Sequence, residues 1–180
     1  HMAEQIDAFV RTRSDRKISL QVIREDMPLG TGGAVKNALS QAGYGATALV
    51  LNGDTAFDFE LLPLIDAHRN LEAMFTLAVS RVEDVARFGT VSMDGSAVTS
   101  FKQASGKQVP GLVSAGAYIL EPSAIAAWPG TVFSLETDLL PAFASEGELN
   151  GFVMDDEHVF HDIGTPASYD SFCQKSTTDQ

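Results

Sequence analysis

Two nearly uninterrupted apolar runs constrain the fold of this chain more than any other feature. Ala46–Leu51 reads ATALVL, and Ala73–Val82 reads AMFTLAVSRV. A strand with one face in water alternates apolar and polar residues, whereas a strand covered on both faces is apolar throughout. Such strands are typical of a parallel sheet with helices on both sides, so both runs are predicted to be central strands of one sheet.

Helical signals separate the predicted strands. Apolar residues recur at helical spacing in Ala3–Arg13, in Ala34–Gln41 and in Glu60–Arg69. Ile18–Ile23 alternates as a strand does, and residues 90–120 contain short strands between Gly and Ser turns, a pattern typical of antiparallel pairs. The order of elements predicts an α/β fold. Its sheet is expected to be Rossmann-like and mainly parallel, flanked by helices, with a small antiparallel insertion.

The domain organisation follows from length and from the polarity of the ends. His1-Met2 is interpreted as a remnant of expression cloning, residues 3–174 as a single domain, and residues 175–180 as a flexible tail. Ser134 is expected to cap a helix over Leu135–Ala144. Thr165 is expected to cap a last helix over Pro166–Phe172.

Charge and cysteine content exclude several classes of function. The 180 residues include 12 Lys and Arg against 24 Asp and Glu, which gives a formal net charge of −12. Nucleic acids and anionic membranes are bound by basic surfaces, so neither is expected as a partner. No apolar run approaches the ~18 residues of a membrane span. Cys173 is the single cysteine, which excludes an internal disulfide or a multi-cysteine zinc site and favours a reducing cytoplasm.

A glycine-rich segment precedes the second predicted helix. Leu29–Gly33 reads LGTGG, and glycines there allow close backbone approach while the helix N-terminus offers free N–H groups to a polar or anionic ligand. The same residues are equally compatible with a tight strand-to-helix turn. The segment is not a Walker loop, because no Lys-Ser/Thr follows the last glycine.

Two acidic residues follow predicted strands. Asp54 ends the sequence Asn52-Gly53-Asp54 after Ala46–Leu51, and Asp162 lies before the last helix. Asn-Gly-Asp is also a favoured turn sequence. In open α/β sheets, however, ligands bind outside the carboxyl ends of the strands. If the two strands are neighbours, both carboxylates can share one Mg²⁺ and leave water positions for phosphate oxygens.

Taken together and in order, the motifs of this chain resemble those of the sugar-1-phosphate nucleotidyltransferases. The resemblance covers nearly the whole chain and is closest to the branch that guanylylates heptose or mannose 1-phosphate. It implies a GT-A-like nucleotidyltransferase fold. The motifs are Glu25–Ala34 (EDMPLGTGGA), Leu49–Asp54 (LVLNGD), Phe88–Val91 (FGTV), Val98–Phe101 (VTSF), Gly111–Leu120 (GLVSAGAYIL), Ser134–Pro141 (SLETDLLP) and Asp162–Tyr169 (DIGTPASY).

The resemblance also implies a reaction and a set of site residues. A sugar-phosphate oxygen attacks the α-phosphorus of a nucleoside triphosphate, with GTP favoured, and pyrophosphate leaves; no general base is needed because the nucleophile is already an anion. Asp54 and Asp162 are the implied catalytic residues and ligands of Mg²⁺. The implied nucleotide-binding residues are Leu29, Gly30, Thr31, Gly32, Gly33, Asn52 and Gly53. The implied sugar-binding residues are Gly89, Gln103, Ser114, Ala115, Gly116 and Glu136.

The sequence departs from the family in its cations. The N-terminal G-x-G-T-R-L and Pro-Lys-Pro segments of relatives are not in this sequence, Gln103-Ala104-Ser105 stands where Glu-Lys-Pro is usual, and Ser114 replaces an Asn. A charge-assisted contact to phosphate is worth about 1.5–3 kcal/mol. A non-catalytic nucleotide- or sugar-binding or regulatory homologue, or an inactive fragment, is therefore the alternative. The cations that could substitute are Arg24, Arg87, Lys102 and Lys107.

The same departure predicts an open sheet edge. In the family another strand lies beside the one that matches Ala46–Leu51, and without it the backbone N–H and C=O groups of this strand are unpaired on one side. We expect something to cover that edge: a swapped element, a second copy in a homo-oligomer, or a further segment.

Overall fold

The computed structural model describes residues 2–13, 19–104, 106–154 and 159–178. The helices are α1 (Ala3–Thr12), α2 (Gly30–Ala42), α3 (Leu61–Asn70), α4 (Pro122–Ala126), α5 (Leu140–Glu146) and α6 (Pro166–Thr178), with a π-helical turn at Leu135–Leu139 before α5. The strands are β1 (Ala48–Leu51), β2 (Thr55–Asp58), β3 (Phe75–Val82), β4 (Thr90–Asp94), β5 (Ala97–Lys102), β6 (Gly111–Leu120), β7 (Leu149–Val153) and β8 (Val159–Asp162). No helix in these ranges is long and apolar enough to cross a membrane.

Six strands form a mixed sheet in the order β1-β6-β3-β7-β5-β4. Because β4 also pairs with β6, the sheet closes on itself like a barrel, with β1 outside the ring. Among the described strands only β3 and β7 pair in parallel. The prediction of an α/β fold is confirmed, whereas the prediction of a mainly parallel, Rossmann-like sheet is wrong.

The error has a physical cause, since an apolar run reports burial on both faces and carries no information about strand direction. Phe75, Leu77 and Val79 of β3 point into the main core. Ala78 points to the opposite face, where it packs in a second cluster with Leu64 of α3. Both faces are covered even though β6, on one side of β3, runs antiparallel to it.

Strand β1 is an edge strand, not the central strand that its apolar sequence predicts. Its residues alternate: Ala48 and Val50 pack against the main core, whereas Leu49 is 39% exposed and Leu51 is 46% exposed. Within the described residues β1 pairs with β6 alone. The predicted open edge is therefore present.

Other elements differ from prediction in detail. Of the predicted strand Ile18–Ile23, residue 18 lies outside the described residues and residues 19–23 form no strand. Ser134 does cap the next helix, because its Oγ accepts from the N–H groups of Glu136 and Thr137. Helix α6 continues to Thr178, into the segment 175–180 for which the sequence predicts a flexible tail, and residues 179 and 180 lie outside the described part.

Helix α2 begins inside the glycine-rich segment, four residues earlier than predicted, because the glycines pack against the segment before the π-helical turn. The N–H groups of Gly32 and Gly33 both donate to the carbonyl oxygen of Phe133, at 3.1 Å. A Cβ on Gly32 would lie 2.3 Å from the Phe133 ring, and a Cβ on Gly33 would lie 2.3 Å from the carbonyl oxygen of Thr131. Close helix packing requires glycine at both positions.

Gly33→Ala should therefore destabilise the fold, even though alanine favours a helix. The added methyl group meets a backbone carbonyl, which cannot rotate away, so we expect a loss of about 1–3 kcal/mol in the free energy of unfolding. Gly45→Ala is the matched control, because the nearest atom to its Cβ lies 4.0 Å away. Urea unfolding curves measure both; equal midpoints for the two variants would contradict this packing argument.

Candidate functional site

A cavity of about 420 Å³ opens beside the ends of β1 and β8 and the middle of β6. It collects residues from sequence positions that are far apart, and many of the predicted site residues are among them. The predicted residues that line the cavity are Asn52, Asp54, Gly89, Gln103, Ser114, Ala115, Gly116, Glu136 and Asp162.

The two predicted metal ligands meet at this cavity. Strand β2 follows Asp54 directly and pairs antiparallel with β8, so that Thr55 lies opposite Asp162. The N–H of Ile163 donates to the carbonyl oxygen of Asp54 at 2.9 Å, which closes the pair. The position that a Cβ on Gly164 would occupy lies 3.0 Å from Asp54 Oδ2 and 3.1 Å from Asp162 Oδ1. Both carboxylates therefore face one small space.

The donor set suits Mg²⁺. Gly164 has no side chain, and the space that its Cβ would fill lies between two hard oxygen ligands. Within the described residues no group of three or more His, Cys, Asp or Glu could hold a metal. Mg²⁺ characteristically takes one or two carboxylates, several waters and substrate phosphate oxygens, so a two-carboxylate site completed by substrate fits these residues.

Arg87 is a site residue that the sequence did not single out. Its Nη2 donates to Asp162 Oδ2 at 2.6 Å, while Asp162 Oδ1 accepts the N–H of Gly164 at 2.9 Å. Among the described residues that line the cavity, Arg87 is the only arginine or lysine. The signal was its position directly before the Phe-Gly-Thr-Val motif, but charge alone did not distinguish it from Arg24, Lys102 and Lys107.

A kink in β6 positions the polar groups on the opposite wall of the cavity. Gly116 has a φ of +77°, and a Cβ there would lie 2.8 Å from Asn52 Nδ2. The N–H of Asn52 donates to the carbonyl oxygen of Gly116 at 2.8 Å. Ser114 Oγ accepts the N–H of Gly116 at 3.2 Å and donates to the Tyr118 hydroxyl at 3.3 Å. Only glycine allows Asn52 to approach β6 this closely.

Glu136 connects the cavity to the glycine-rich segment. Its Oε2 accepts hydrogen bonds from Thr31 Oγ1 at 2.6 Å and from Ser134 Oγ at 2.9 Å. Thr31 Oγ1 also accepts the N–H of Leu135 at 2.9 Å. Thr31, which the resemblance assigns to the nucleotide, is thus hydrogen-bonded directly to Glu136, which the resemblance assigns to the sugar.

The other predicted nucleotide-binding residues do not line this cavity. They are Leu29, Gly30, Thr31, Gly32, Gly33 and Gly53, of which Leu29 and Gly33 line a separate hollow of about 310 Å³. Two of the N–H groups expected to be free for a ligand, those of Gly32 and Gly33, are bonded to Phe133 instead. In the structure these glycines serve the packing of α2.

Tyr118 is a buried hydroxyl in the wall of the cavity. Burial raises the pKa of this hydroxyl well above its ordinary value; the Ser114 hydrogen bond opposes the shift, and the negative charge of Glu136 adds to it. The Tyr118 hydroxyl therefore keeps its proton throughout the neutral and moderately alkaline range.

Comparison with known proteins assigns the chain to a family. The family model described as nucleotidyl transferase matches residues 1–179. The chain belongs to the nucleotidyl transferase family. Its relatives in this family include the D-glycero-alpha-D-manno-heptose 1-phosphate guanylyltransferase of Aneurinibacillus thermoaerophilus, which is 33% identical over 167 residues, equal to 92% of this chain and 70% of that protein. The mannose-1-phosphate guanylyltransferase of Mycobacterium tuberculosis is 31% identical over 154 residues.

The match to the mannose-1-phosphate guanylyltransferase spans 84% of this nucleotidyl transferase chain but only 43% of that protein. This chain therefore corresponds to less than half of that relative. Among solved structures, HddC from Yersinia pseudotuberculosis complexed with GMP-PN has a TM-score of 0.81 at 32% identity, over 97% of this chain and 74% of that chain. The predicted family resemblance is confirmed, and the barrel-like mixed sheet is the sheet of a nucleotidyl transferase fold.

Tyr118 makes the stability of this family member depend on alkaline pH. In the unfolded chain a tyrosine ionises near pH ~10, whereas the folded Tyr118 keeps its proton there. Above that pH the unfolded state binds fewer protons, so the free energy of unfolding falls as pH rises, by up to about 1.4 kcal/mol per pH unit. Tyr118→Phe lacks this component.

Urea unfolding across this range measures the effect. The difference in free energy of unfolding between the wild type and Tyr118→Phe should be constant below about pH 9, where it reports only the lost hydrogen bonds. By about pH 11 the wild type should have lost about 1 kcal/mol of its free energy of unfolding relative to Tyr118→Phe. A difference that stays constant over the whole range would contradict the shifted pKa.

Proposed function

We propose that this chain carries the active site of a sugar-1-phosphate guanylyltransferase. It transfers a nucleotidyl group from a nucleoside triphosphate, with GTP favoured, to a sugar 1-phosphate of the mannose or heptose class. The names of the relatives and the GMP-PN in the HddC structure support the choice of guanine nucleotide and sugar. The observation that carries the proposal is the convergence of Asp54 and Asp162 on one space beside Gly164.

The chemistry needs positioning more than proton transfer. An oxygen of the sugar phosphate forms a bond to the α-phosphorus, and the bond from the α-phosphorus to the oxygen bridging to the β-phosphorus breaks, releasing pyrophosphate. Asp54 and Asp162 would hold Mg²⁺, which when bound supplies neutralising charge to the phosphate oxygens. The nucleophile is already an anion, so the cavity has to orient it in line with the leaving group.

The remaining site residues divide between the two substrates. Asn52, Gly53 and the segment Leu29–Gly33 are proposed to face the nucleotide. Asn52 is supported best, because it lines the cavity and lies against Gly116. The proposed sugar-side residues, which all line the cavity, are Gly89, Gln103, Ser114, Ala115, Gly116 and Glu136. The hydrogen bond from Thr31 to Glu136 supports a common boundary between the two halves.

A binding module without catalysis is the alternative that Ala104, at the position of a lysine usual in the family, suggests. The acid pair favours the transferase, because a cation held by two carboxylates can neutralise the charge that develops on the phosphates during transfer. The relatives named above are transferases. We propose the cytoplasm as the compartment, because a chain with one cysteine needs no oxidising environment. The net charge of −12 supports a function without nucleic acid or membrane as partner.

Asp54→Ala should abolish transfer. Pyrophosphate release is measured with a panel of nucleoside triphosphates and with mannose 1-phosphate or heptose 1-phosphate, in Mg²⁺. Losing a ligand to the cation that neutralises the transition state should lower kcat at least about 100-fold. Chelation of Mg²⁺ should do the same to the wild type.

Asp66→Ala is the matched control, because it removes the same charge from an exposed position on α3. It should retain the wild-type rate. Retention of full activity by Asp54→Ala, with Mg²⁺ still required, would place the metal elsewhere. Wild-type binding of nucleotide and sugar phosphate without any pyrophosphate release would instead favour the binding module.

We also propose that the open edge of β1 is covered in the working protein, by a second copy of the chain or by a further segment. Leu49 and Leu51 present apolar side chains beside backbone groups that no described strand pairs. Exposed apolar edges of this kind recruit other strands.

Light scattering after gel filtration tests this coverage. The chain alone should form a dimer or larger oligomer, and Leu49→Lys should shift it toward the monomer because a charge on an edge strand opposes pairing. Leu62→Lys, which changes an exposed leucine on α3, should leave the oligomer intact. A monomeric, soluble wild type would count against the proposal.

A further inference from the structure

The cavity has an imbalance of charge that the proposed reaction must overcome. Three carboxylates line it, those of Asp54, Glu136 and Asp162, together with one guanidinium, that of Arg87. The substrates of the proposed function are phosphates, which the carboxylates repel. Among the described residues that line the cavity, Arg87 is therefore the one cation that can attract phosphate, and it is already paired with Asp162 at 2.6 Å.

The backbone beneath Arg87 is fixed. Within the turn that connects β3 to β4, the N–H of Val85 donates to the carbonyl oxygen of Val109, and the N–H of Phe88 donates to that of Val85, both at 3.0 Å. The Phe88 ring packs edge-on against Phe160 of β8, with centroids 5.5 Å apart. These contacts hold the Cα of Arg87 at the rim of the cavity.

The side chain of Arg87, by contrast, has room to move. It is 60% exposed, against 28% for Asp162. Both residues line the cavity and also a second hollow of about 430 Å³ beside α6, so the ion pair borders two open spaces. An exposed ion pair of this kind is weak, at about 0–1 kcal/mol, so a competing charge can break it.

Two competing charges are expected here if the proposed function is correct. A divalent cation beside Gly164 faces Asp162 Oδ1 while Arg87 occupies Oδ2 of the same carboxylate, so the two cations compete for one negative charge and repel each other. A phosphate competes with Asp162 for Arg87, because a guanidinium binds phosphate oxygens with well-directed, charge-assisted hydrogen bonds. When both ligands bind, two new contacts therefore replace the ion pair between Arg87 and Asp162. The cation binds Asp162, and the phosphate binds Arg87.

The sugar phosphate is the substrate that Arg87 can reach most directly. Arg87 lies two residues before Gly89, which packs against Phe101 and the carbonyl oxygen of Lys102, immediately before Gln103. Gly89 and Gln103 line the part of the cavity proposed for the sugar.

We infer that Arg87 holds Asp162 when the site is empty and transfers to the phosphate of the sugar 1-phosphate when a divalent cation takes its place. This inference rests on the proposed function, and it names Arg87 as a phosphate-binding residue of that site. Arg87 also makes Asp162 a poorer metal ligand until phosphate is present.

Arg87→Gln tests both halves of the exchange. Binding of Mn²⁺ to the substrate-free protein, followed by electron paramagnetic resonance, should tighten about 2- to 5-fold, because a competitor for Asp162 is removed. Binding of mannose 1-phosphate in the presence of Mn²⁺, followed by calorimetry, should weaken about 10- to 100-fold. Arg87→Lys should recover part of the phosphate affinity, since it keeps the charge without the planar fork.

Arg69→Gln is the control for net charge, because it removes one positive charge at the far end of α3. It should leave both dissociation constants unchanged. Equal Mn²⁺ affinity in Arg87→Gln and the wild type would overturn the inference, and so would equal affinity for mannose 1-phosphate. If Arg69→Gln raises Mn²⁺ affinity as much as Arg87→Gln does, the effect comes from net charge alone, which would also overturn the inference.

The measurements separate this inference from the proposed function. Neither binding experiment requires turnover, so a wild type that releases no pyrophosphate still reports whether Arg87 competes with Mn²⁺. If Asp54→Ala loses Mn²⁺ binding while Arg87→Gln binds Mn²⁺ with wild-type affinity, the proposed metal site is supported and the role of Arg87 is rejected.

Discussion

Strand β6 is the element on which the rest of the molecule depends. It pairs with β1, β3 and β4, and its residues from Ala115 to Leu120 are buried. Its register with β3 shifts so that Ser114 lies opposite Val79 and Tyr118 opposite Leu77, which leaves extra β6 residues beside Ala78. Four residues of a regular strand span about 13 Å. The bulge, with Gly116 at positive φ, instead brings the Ser114 and Tyr118 hydroxyls to 3.3 Å and makes room for Asn52.

Strand positions follow from sequence more readily than strand directions. The apolar run that became β3 is recognisable because it is covered on two faces, and β6 lies in residues 90–120, where the pattern of turns predicted short strands. Direction depends on which strands lie next to each other, and an apolar run does not contain that information; only the short strands and turns of residues 90–120 indicated antiparallel pairing, which the structure has. The run that became β1 was equally apolar yet lies at an edge, where its alternate side chains are exposed. Apolarity there indicates that something else is expected to cover the strand.

The candidate site was predictable in its residues but not in its geometry. The resemblance identified Asp54 and Asp162, whereas the elements that join them, β2 and β8, are each four residues long. Strands so short carry little periodic signal, and β2 was not predicted. Arg87 was one cation among four in the sequence, and only the fold shows that it faces Asp162. The glycines of residues 30–33 illustrate the converse, since their spacing indicates a ligand loop while their contacts are with Phe133.

Charge balance connects these observations. At an effective dielectric constant of about 20, two like charges 4 Å apart repel by about 4 kcal/mol, so a phosphate entering among three carboxylates is opposed unless cations enter with it. A divalent cation alone meets an Asp162 already paired with a guanidinium. A phosphate alone meets a guanidinium already paired with a carboxylate. Each ligand removes the obstacle to the other, so the arrangement of Asp54, Asp162 and Arg87 favours joint binding of metal and phosphate over the binding of either one.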